Sequence, residues 1–493
     1  MTETEVKLAL DPAYGPLLER SSALATRARR RRLTSIYFDT EDCILARNEM
    51  ALRLRRAGRR WTQCLKAGGS GAAGLHERDE WELERPGPTL DLSLFGQTPL
   101  AQLEGAESLH TALKPVFEVD VVRKTWNVRP RRGQRLEVAW DEGVVASTDR
   151  SRSDTISEVE IECVDAPPEA AYALAERLLD DVALRPSPTT KAERGYRLFR
   201  GEAPRPAKAK RPAVEPAMTP HAAARAIVAA AIVQLQANED GVLASDDPEF
   251  VHQARVALRR LRSTLRIFRK PIGKKRALIW RTALADAARA LGEARDWDVF
   301  ADETLPRLVR GLAAPATAKR LRKRAALARA EARARARSAL GSAAYGRILL
   351  DLARWVGEKD DAAGAGETLQ AFATRLLRKR HKRLIARTER LRSLDAQERH
   401  RVRIDAKRLR YVADGMGKVF GEDKVDAYVD ALAELQDELG RANDAATAVR
   451  LLATLDPPRA FATAASVRLA RRMRPGARLD AIAARMRDSA NFW

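Results

Sequence analysis

The chain of 493 residues has only three cysteines, Cys43, Cys64 and Cys163, with neither CxxC spacing nor the pattern of a disulfide framework. Such thiol usage suits a reducing compartment and excludes a disulfide-stapled scaffold. Long apolar runs are also missing: no uncharged stretch approaches the roughly 18 residues of a membrane span. The opening MTETEVK puts acids where a signal peptide carries cations, so a cytoplasmic protein is expected. Aromatic residues are 5% of the chain, which leaves few platforms for stacking bases. Charge is what the sequence has in excess: 32% of residues are charged, 90 Lys+Arg against 67 Asp+Glu, for a net +23.

That charge is unevenly placed. Residues 1–200 carry 31 basic and 32 acidic side chains, whereas residues 201–493 carry 59 and 35. Between them GEAPRPAKAKRPAVEPAM (201–218), rich in Pro, Ala and Lys, reads as an exposed linker. The expected domains are therefore 1–200 and 219–493, and the basic one calls for a polyanionic partner.

The first half alternates with period 2, as in Glu3-Thr4-Glu5-Val6-Lys7-Leu8, Leu52-Arg53-Leu54-Arg55 and Ser157-Glu158-Val159-Glu160-Ile161-Glu162. Each segment places charges on one strand face and mostly apolar residues on the other. Helical periodicity appears over 168–181, so the half is α+β with an antiparallel sheet. One such strand is an ordinary solvated face. Several, some acidic and some basic, let a sheet curl around a charged lumen with its apolar side under helices. Cations there would grip phosphate oxygens, and converging carboxylates would need a divalent metal to relieve their repulsion.

In this half E-x-E-x-K (Glu3, Glu5, Lys7), Tyr37-Phe38-Asp39-Thr40, the Leu52–Arg55 strand, Lys66 in CLKAGG and Leu75-His76-Glu77-Arg78 follow one another. Arg123 in VVRKTW, Glu137 and Asp141 in LEVAWDEG, the triple-Glu strand 158–162 and Lys191 in TKAERGY complete the series. In that order these motifs resemble the CYTH domain of the triphosphate tunnel metalloenzymes, most closely the bacterial inorganic triphosphatases. The resemblance implies an eight-stranded antiparallel tunnel that hydrolyses triphosphate to diphosphate and phosphate with Mg²⁺ or Mn²⁺. It implies that Lys7, Arg53, Arg55, Lys66, Arg78, Arg123 and Lys191 clamp the phosphates. Glu3, Glu5, Glu158 and Glu160 would hold the metal, with Glu162 and Glu137 less firmly placed. Lys7, Glu5 and Asp141 are the expected catalytic residues. His76 is expected to be structural, and Arg29–Arg32 a solvated edge.

The second half is helical and duplicated. VHQARVALRRLRSTLRIF (251–268) and RHRVRIDAKRLRYVADGM (399–416) align at an offset of 148, as do LGEARDWD (291–298) and LGRANDAA (439–446). On a helix His252, Arg255, Arg259, Arg262 and Arg266 share one face over about 21 Å, opposite Ala254, Leu258, Leu261, Leu265 and Phe268. The second copy sets His400, Arg403, Lys407 and Arg410 against Val402, Ala406, Leu409 and Met416. Such stripes without acids repel themselves unless an anion neutralises them. The helix 373–388 is expected to add Arg375, Lys379, His381 and Lys382, and the Ala/Arg helix 319–340 to lie on the surface. GEKDDAAGAGE (357–367) is expected to separate the copies.

The motif H-x-x-R-[VI]-x-x-[RK]-R-L-R, present in both copies, makes residues 219–493 resemble the CHAD domain, an all-helical module. The resemblance implies binding of long-chain inorganic polyphosphate, with association to polyphosphate granules, and no chemistry of its own. His252 and His400 stand among cations with no acid beside them, a poor metal site. Nucleic acid is disfavoured as partner by the lack of stacking residues in the stripes and of helix-turn-helix or zinc-finger spacing. The leading expectation is thus a triphosphatase docked on polyphosphate. The alternatives are a non-catalytic polyphosphate-binding protein and a tunnel enzyme acting on ATP, as class IV adenylate cyclases do, or on thiamine triphosphate.

Overall fold

A computed structural model describes the chain except residues 1, 25, 73, 104–108, 359–365, 389–393, 471–478 and 489–491. It divides into two compact units, Met1–Arg205 with Gly341–Gly357, and Pro206–Leu340 with Glu358–Trp493. Most of the segment expected to separate the two helical copies lies outside the described residues. No helix among the described residues is long and apolar enough to cross a membrane.

The first unit is built on strands β1 (Thr2–Leu10), β2 (Arg29–Asp39), β3 (Met50–Ala57), β4 (Arg60–Ala72), β5 (Leu75–Arg85), β6 (Lys114–Val128), β7 (Leu136–Ser147), β8 (Ser153–Cys163) and β9 (Leu184–Pro186). Their order is β5-β4-β3-β2-β6-β7-β8-β1-β9, and a further β5–β1 ladder closes eight of them into an antiparallel barrel. Closure leaves these eight strands without free edges. β1 has three partners because β5 and β9 share one of its edges end to end: residues 2–6 pair with β5 and residues 8–10 with β9. The seam falls at Lys7, whose N–H donates to Gly74 O (2.8 Å) and whose carbonyl accepts from Ser187 N (3.0 Å). Gly74 has φ +99°, and a Cβ there would lie 3.0 Å from Lys7 O and 2.9 Å from Pro186 Cβ. Only glycine fits.

Alternation sends the apolar side chains outward. Val6, Leu8 and Leu10 of β1 are buried, and helix α1 (Pro168–Asp181) packs across β1 and β8 with Ala171, Leu174, Leu178 and Leu179 buried. Helix α2 (Lys191–Phe199) starts in a capping box between Thr190 and Glu193 and packs on β6 and β7. Gly195 lets α2 come down on Phe117, where a Cβ would sit 2.1 Å from the ring. The Arg29–Arg32 run is exposed at the start of β2, as expected.

The second unit is helical. Its long elements are α3 (Pro220–Ala244), α4 (Pro248–Ile267), α5 (Ala285–Val299), α6 (Pro315–Leu340), then, after α7 (Ala343–Gly357), α8 (Leu369–Thr388), α9 (Ala396–Met416) and α10 (Glu422–Thr454). α4 and α9 begin 148 residues apart, each behind an aspartate N-cap, Asp247 and Asp395. Hairpins α3–α4 and α8–α9 repeat the same packing, and α4 also meets α9. α6 lies on the surface as expected, but one of its faces is buried. Its alanines approach α5 closely, and Arg333 is 7% exposed, donating to Asp298 at 2.7 and 3.0 Å and to Asp246 O at 2.7 Å. The small side chains that look like surface filler permit close packing, and Asp298 offsets the cost of the buried guanidinium. Part of the expected linker is likewise held in place: Val214 is buried, and the Asn238 amide bonds Ala207 N and O.

α7 belongs to the first unit although its neighbours in sequence belong to the second. It packs on α1 and β9, burying Leu349, Leu352 and Trp355. Arg347 pairs with Asp180 at 2.8 Å and Arg354 with Glu176 at 3.0 Å.

Candidate functional site

Inside the barrel a cavity of about 260 Å³ is lined almost wholly by charged side chains. Three of its cations, Arg123, Lys7 and Lys191, and one of its acids, Glu160, are joined to Asp141 and Glu158 in a cluster of three acids and three cations. Asp141 on β7 and Glu158 on β8 are nearly inaccessible, at 1% and 3% exposure, and Glu160 stands beside them. Arg123 on β6 donates to both oxygens of Asp141 at 2.7 Å and to Glu160 at 2.7 Å. Lys7 reaches Glu158 (3.2 Å) and Glu160 (3.1 Å). Lys191, set by the first turn of α2, contacts Asp141 (2.7 Å), Glu160 (2.8 Å) and Glu158. Burial works against the charge of Asp141, but Arg123 and Lys191 prevail and hold its carboxyl at about 2. Against the same penalty, Glu158 and Glu160 push Lys7 above the ordinary lysine range.

A second cluster is organised around Glu80. Burial opposes its charge, but Lys66 (3.3 Å) and Arg53 (3.3 Å) hold it at about 2, and the Cys64 thiol donates to it at 2.9 Å. Lys66 also bonds Glu3. The sequence reading missed Glu80, Glu82, Tyr37 and Thr190, all of which line the cavity. Period 2 along β5 could have found the first two, since residues 78, 80 and 82 share one face. Arg78 itself is admitted by a register shift opposite Gly68 and Gly69, where a Cβ on Gly69 would meet Arg78 Cγ at 2.6 Å. His76 is buried with Nε2 3.3 Å from Ser187 O at the β1 seam, a structural place, and burial drops its pKa to about 4.

Two kinds of group remain unsatisfied in this cavity. The Arg55 guanidinium is half-buried, donates to Ser35 Oγ at 3.4 Å and has no carboxylate partner among the described residues; loss of solvent and the like charges of Arg53 and Arg123 lower its pKa. Glu5 is pushed up to about 7 by burial and by Glu160, and Glu162 to about 7 by burial and by Glu3, Glu137 and Glu80. The same walls thus hold a guanidinium short of an anion and carboxyls short of a cation. Oxygens of Asp141, Glu158 and Glu160 also lie within 4.8 Å of one another, a hard donor set suited to a divalent metal ion. The expected metal set shares Glu158 and Glu160 with this group. Glu5 adjoins Glu160, and Glu3 is turned toward Lys66.

The helical unit gathers its cations in two cavities. One, of about 330 Å³, is lined by Arg255, Arg259, Arg262 and Arg266 of α4 together with Arg281, Arg380 and Arg408. The other, of about 210 Å³, takes His252, Arg255 and Arg259 from α4 and Arg403 and Lys407 from α9. Arg255 and Arg259 line both, so α4 and α9 contribute to one run of basic space. The repeated Leu-Gly pairs border it: a Cβ on Gly292 would come into ordinary contact with Arg255 Nε at 3.6 Å, and one on Gly440 with Arg403 Nε at 3.5 Å. Among the described residues, Nε of Arg259, Arg262 and Arg403 is buried without a hydrogen-bond partner. These are donors lacking an acceptor.

Other expected residues fall elsewhere. His400 is exposed and Arg410 lies over the Tyr411 ring at 5.9 Å, and neither lines these two cavities. On α8, Arg375 pairs with Glu367 at 2.6 Å, Lys379 and Lys382 are exposed, and His381 bonds Tyr428 OH at 2.7 Å. Arg380 lines the cavity instead, because one residue turns a helix by about 100°. Burial, Arg408 and Arg266 lower its pKa to about 10.

Comparison with known proteins divides the chain in the same way. The CYTH domain model matches residues 1–196 and the CHAD domain model residues 226–453. An inorganic triphosphatase from Haemophilus influenzae is 32% identical over 203 residues, covering 40% of this chain and 55% of that protein, so the match spans about half the relative's length. The crystal structure of the CHAD domain from the plant Ricinus communis is 33% identical with a TM-score of 0.51, covering 57% of this chain and 96% of that one. A Hippeastrum protein, described as an adenylyl cyclase candidate with a dominant triphosphatase activity, is 22% identical with a TM-score of 0.32, covering 41% of this chain and 97% of that one.

Proposed function

Because the chain belongs to the CYTH family through residues 1–196 and to the CHAD family through residues 226–453, we propose that it is a metal-dependent inorganic triphosphatase whose helical unit binds inorganic polyphosphate. One observation carries the first part: Arg55 short of an anion and Glu5 and Glu162 short of a cation face one cavity. A triphosphate–metal complex relieves both at once, which neither a bare anion nor a bare cation does.

In this reading Arg53, Arg55, Lys66 and Arg78 hold the polyphosphate oxygens, and Arg123, Lys7 and Lys191 exchange part of their contact with acids for contact with the substrate. Neutralising charge on the phosphate oxygens during attack is the chemistry that Mg²⁺ or Mn²⁺ supplies when bound. Asp141, Glu158 and Glu160 would hold it, with Glu5 adjoining. Glu5 orients a water and accepts its proton as the water oxygen bonds the terminal phosphorus and the bridging P–O bond breaks, releasing phosphate and diphosphate. Inorganic triphosphate fits better than a nucleotide or thiamine ester. Among the described residues Tyr37 is the one aromatic of the lining, and its ring is already stacked on Phe117 at 4.5 Å, so no pair of rings there is set to receive a base.

Phosphate release by the full chain from triphosphate, ATP and thiamine triphosphate, with Mg²⁺, with Mn²⁺ and with chelator, tests the proposal. Metal-dependent turnover favouring triphosphate, lost at least 100-fold in E5Q, is expected. Unchanged release in E5Q would sink the role given to Glu5. The helical unit's part is read from salt-dependent retention of long-chain polyphosphate over duplex DNA.

A further inference from the structure

The duplicated helical unit breaks its own symmetry at one position of the basic cavity. Arg259 on α4 corresponds to Lys407 on α9, 148 residues on, and both line the same cavity of about 210 Å³. Around Lys407 stand Arg403 on its own helix, His252, Arg255 and Arg259 on α4, Arg295 and Asp296 on α5, and Asp444 on α10. Four guanidiniums therefore oppose two carboxylates in a half-enclosed space. A guanidinium keeps its proton under any such pressure, whereas a lysine ammonium can release it.

We propose that Lys407 is a proton-linked contact of this cavity: long-chain polyphosphate binds together with one proton, taken up from solvent by the Lys407 amine. The inference rests on the polyphosphate reading of the helical unit. Without an anion, the ammonium pays for burial and for its three near guanidiniums. Burial first, then Arg403, Arg259 and Arg255, lowers its pKa to about 7, with Asp444 opposing. Phosphoryl oxygens in the cavity reverse the local sign of charge and accept hydrogen bonds from the ammonium, so the bound state favours the charged amine. Above pH 7 the free protein has mostly lost this proton and binding must restore it. Affinity then falls as pH rises, by up to tenfold per pH unit.

The neighbouring groups do not mimic this between pH 7.5 and 9.5. Arg255, Arg259, Arg295 and Arg403 keep their charge. Burial and Arg295 lower His252 below the ordinary imidazole range, away from this window. Asp296 is raised by burial and by Asp444, against Arg255, and lies on the acid side of the histidine and lysine groups.

The test is a titration of the full chain with long-chain sodium polyphosphate, whose terminal groups are few, at constant ionic strength from pH 6.5 to 9.5. Calorimetry at pH 8.5 in two buffers of different ionisation heat counts the protons. Wild type is expected to weaken about 100-fold between pH 7.5 and 9.5 and to take up close to one proton. K407R is expected to bind with a flat profile and no uptake. K407M is expected to be equally flat, with the weak affinity that wild type shows at pH 9.5. Equal slopes in wild type and K407R would overturn the inference alone. Failure of wild type to bind polyphosphate at pH 6.5 would overturn the polyphosphate reading, and the inference with it.

Discussion

Glu5 is a carboxyl placed where its charge is unwelcome until a cation arrives, and that has two measurable results. In the free protein its pKa is raised to about 7. If its carboxylate accepts the proton of the attacking water, kcat/KM falls tenfold per pH unit below about pH 7. E5Q removes that limb, and E162Q keeps it. Because Glu162 is also near 7, a limb that survives in E5Q and disappears in E162Q would reassign the base. Stability should move the other way. Below the ordinary carboxyl range Glu5 is protonated whether the protein is folded or not, so it contributes nothing. Above pH 7 ionisation costs the folded state its full penalty. Metal-free E5Q should therefore melt a few degrees higher than wild type at pH 8 and no higher at pH 4. Asp141 has the opposite sign. Its carboxyl is lowered to about 2, so the stability it confers is whole above the ordinary aspartate pKa and is lost as pH falls toward 2. D141N, which leaves Arg123 and Lys191 short of an acid, should cost on the order of 3 kcal/mol at pH 7 in denaturant unfolding.

At the scale of elements, the β1 seam joins strand pairing to the site. G74A forces a Cβ into Lys7 O and Pro186 at a left-handed φ, which should cost about 2 kcal/mol. Lys7 should lose its register against Glu160, so kcat is expected to fall with the melting temperature; a variant that melts lower yet turns over normally would uncouple seam from site. Much at this scale was legible. Period-2 patterns identified β1, β3 and β8 and put Glu3, Glu5, Lys7, Arg53, Arg55 and Glu160 on the lumen side. α1 occupies residues 168–181 as its stripe predicts. The three-way pairing of β1 was not legible, since alternation says which way a side chain points and nothing about which strand lies alongside. Helical phase was readable for α4, whose four arginines share a cavity. It failed on α8, where a reading one residue out of phase chose Lys379 and His381 over Arg380. On α6, which lies on the surface as expected, it did not reveal the buried face, because burial of Arg333 depends on Asp298, a partner no local pattern reveals.

For the whole molecule, the decisive feature is α7. Its apolar face is visible in sequence, but which unit it serves is not, because periodicity shows that a face must be covered without saying by what. Burial of Leu349, Leu352 and Trp355 against the first unit contributes roughly 1.5–3 kcal/mol for each side chain. A fragment ending at residue 205 should therefore be less stable than the same fragment joined by a flexible Gly/Ser linker to residues 341–357, with a melting temperature lower by at least 5 °C. Equal melting of the two would show that α7 is dispensable to the barrel. The basic cavities, by contrast, lie wholly within the second unit.

A gene for such a protein cannot be divided by one break without damage to both products. Recombination at the obvious proline-rich boundary would strand a piece of the barrel's outer wall inside the other product.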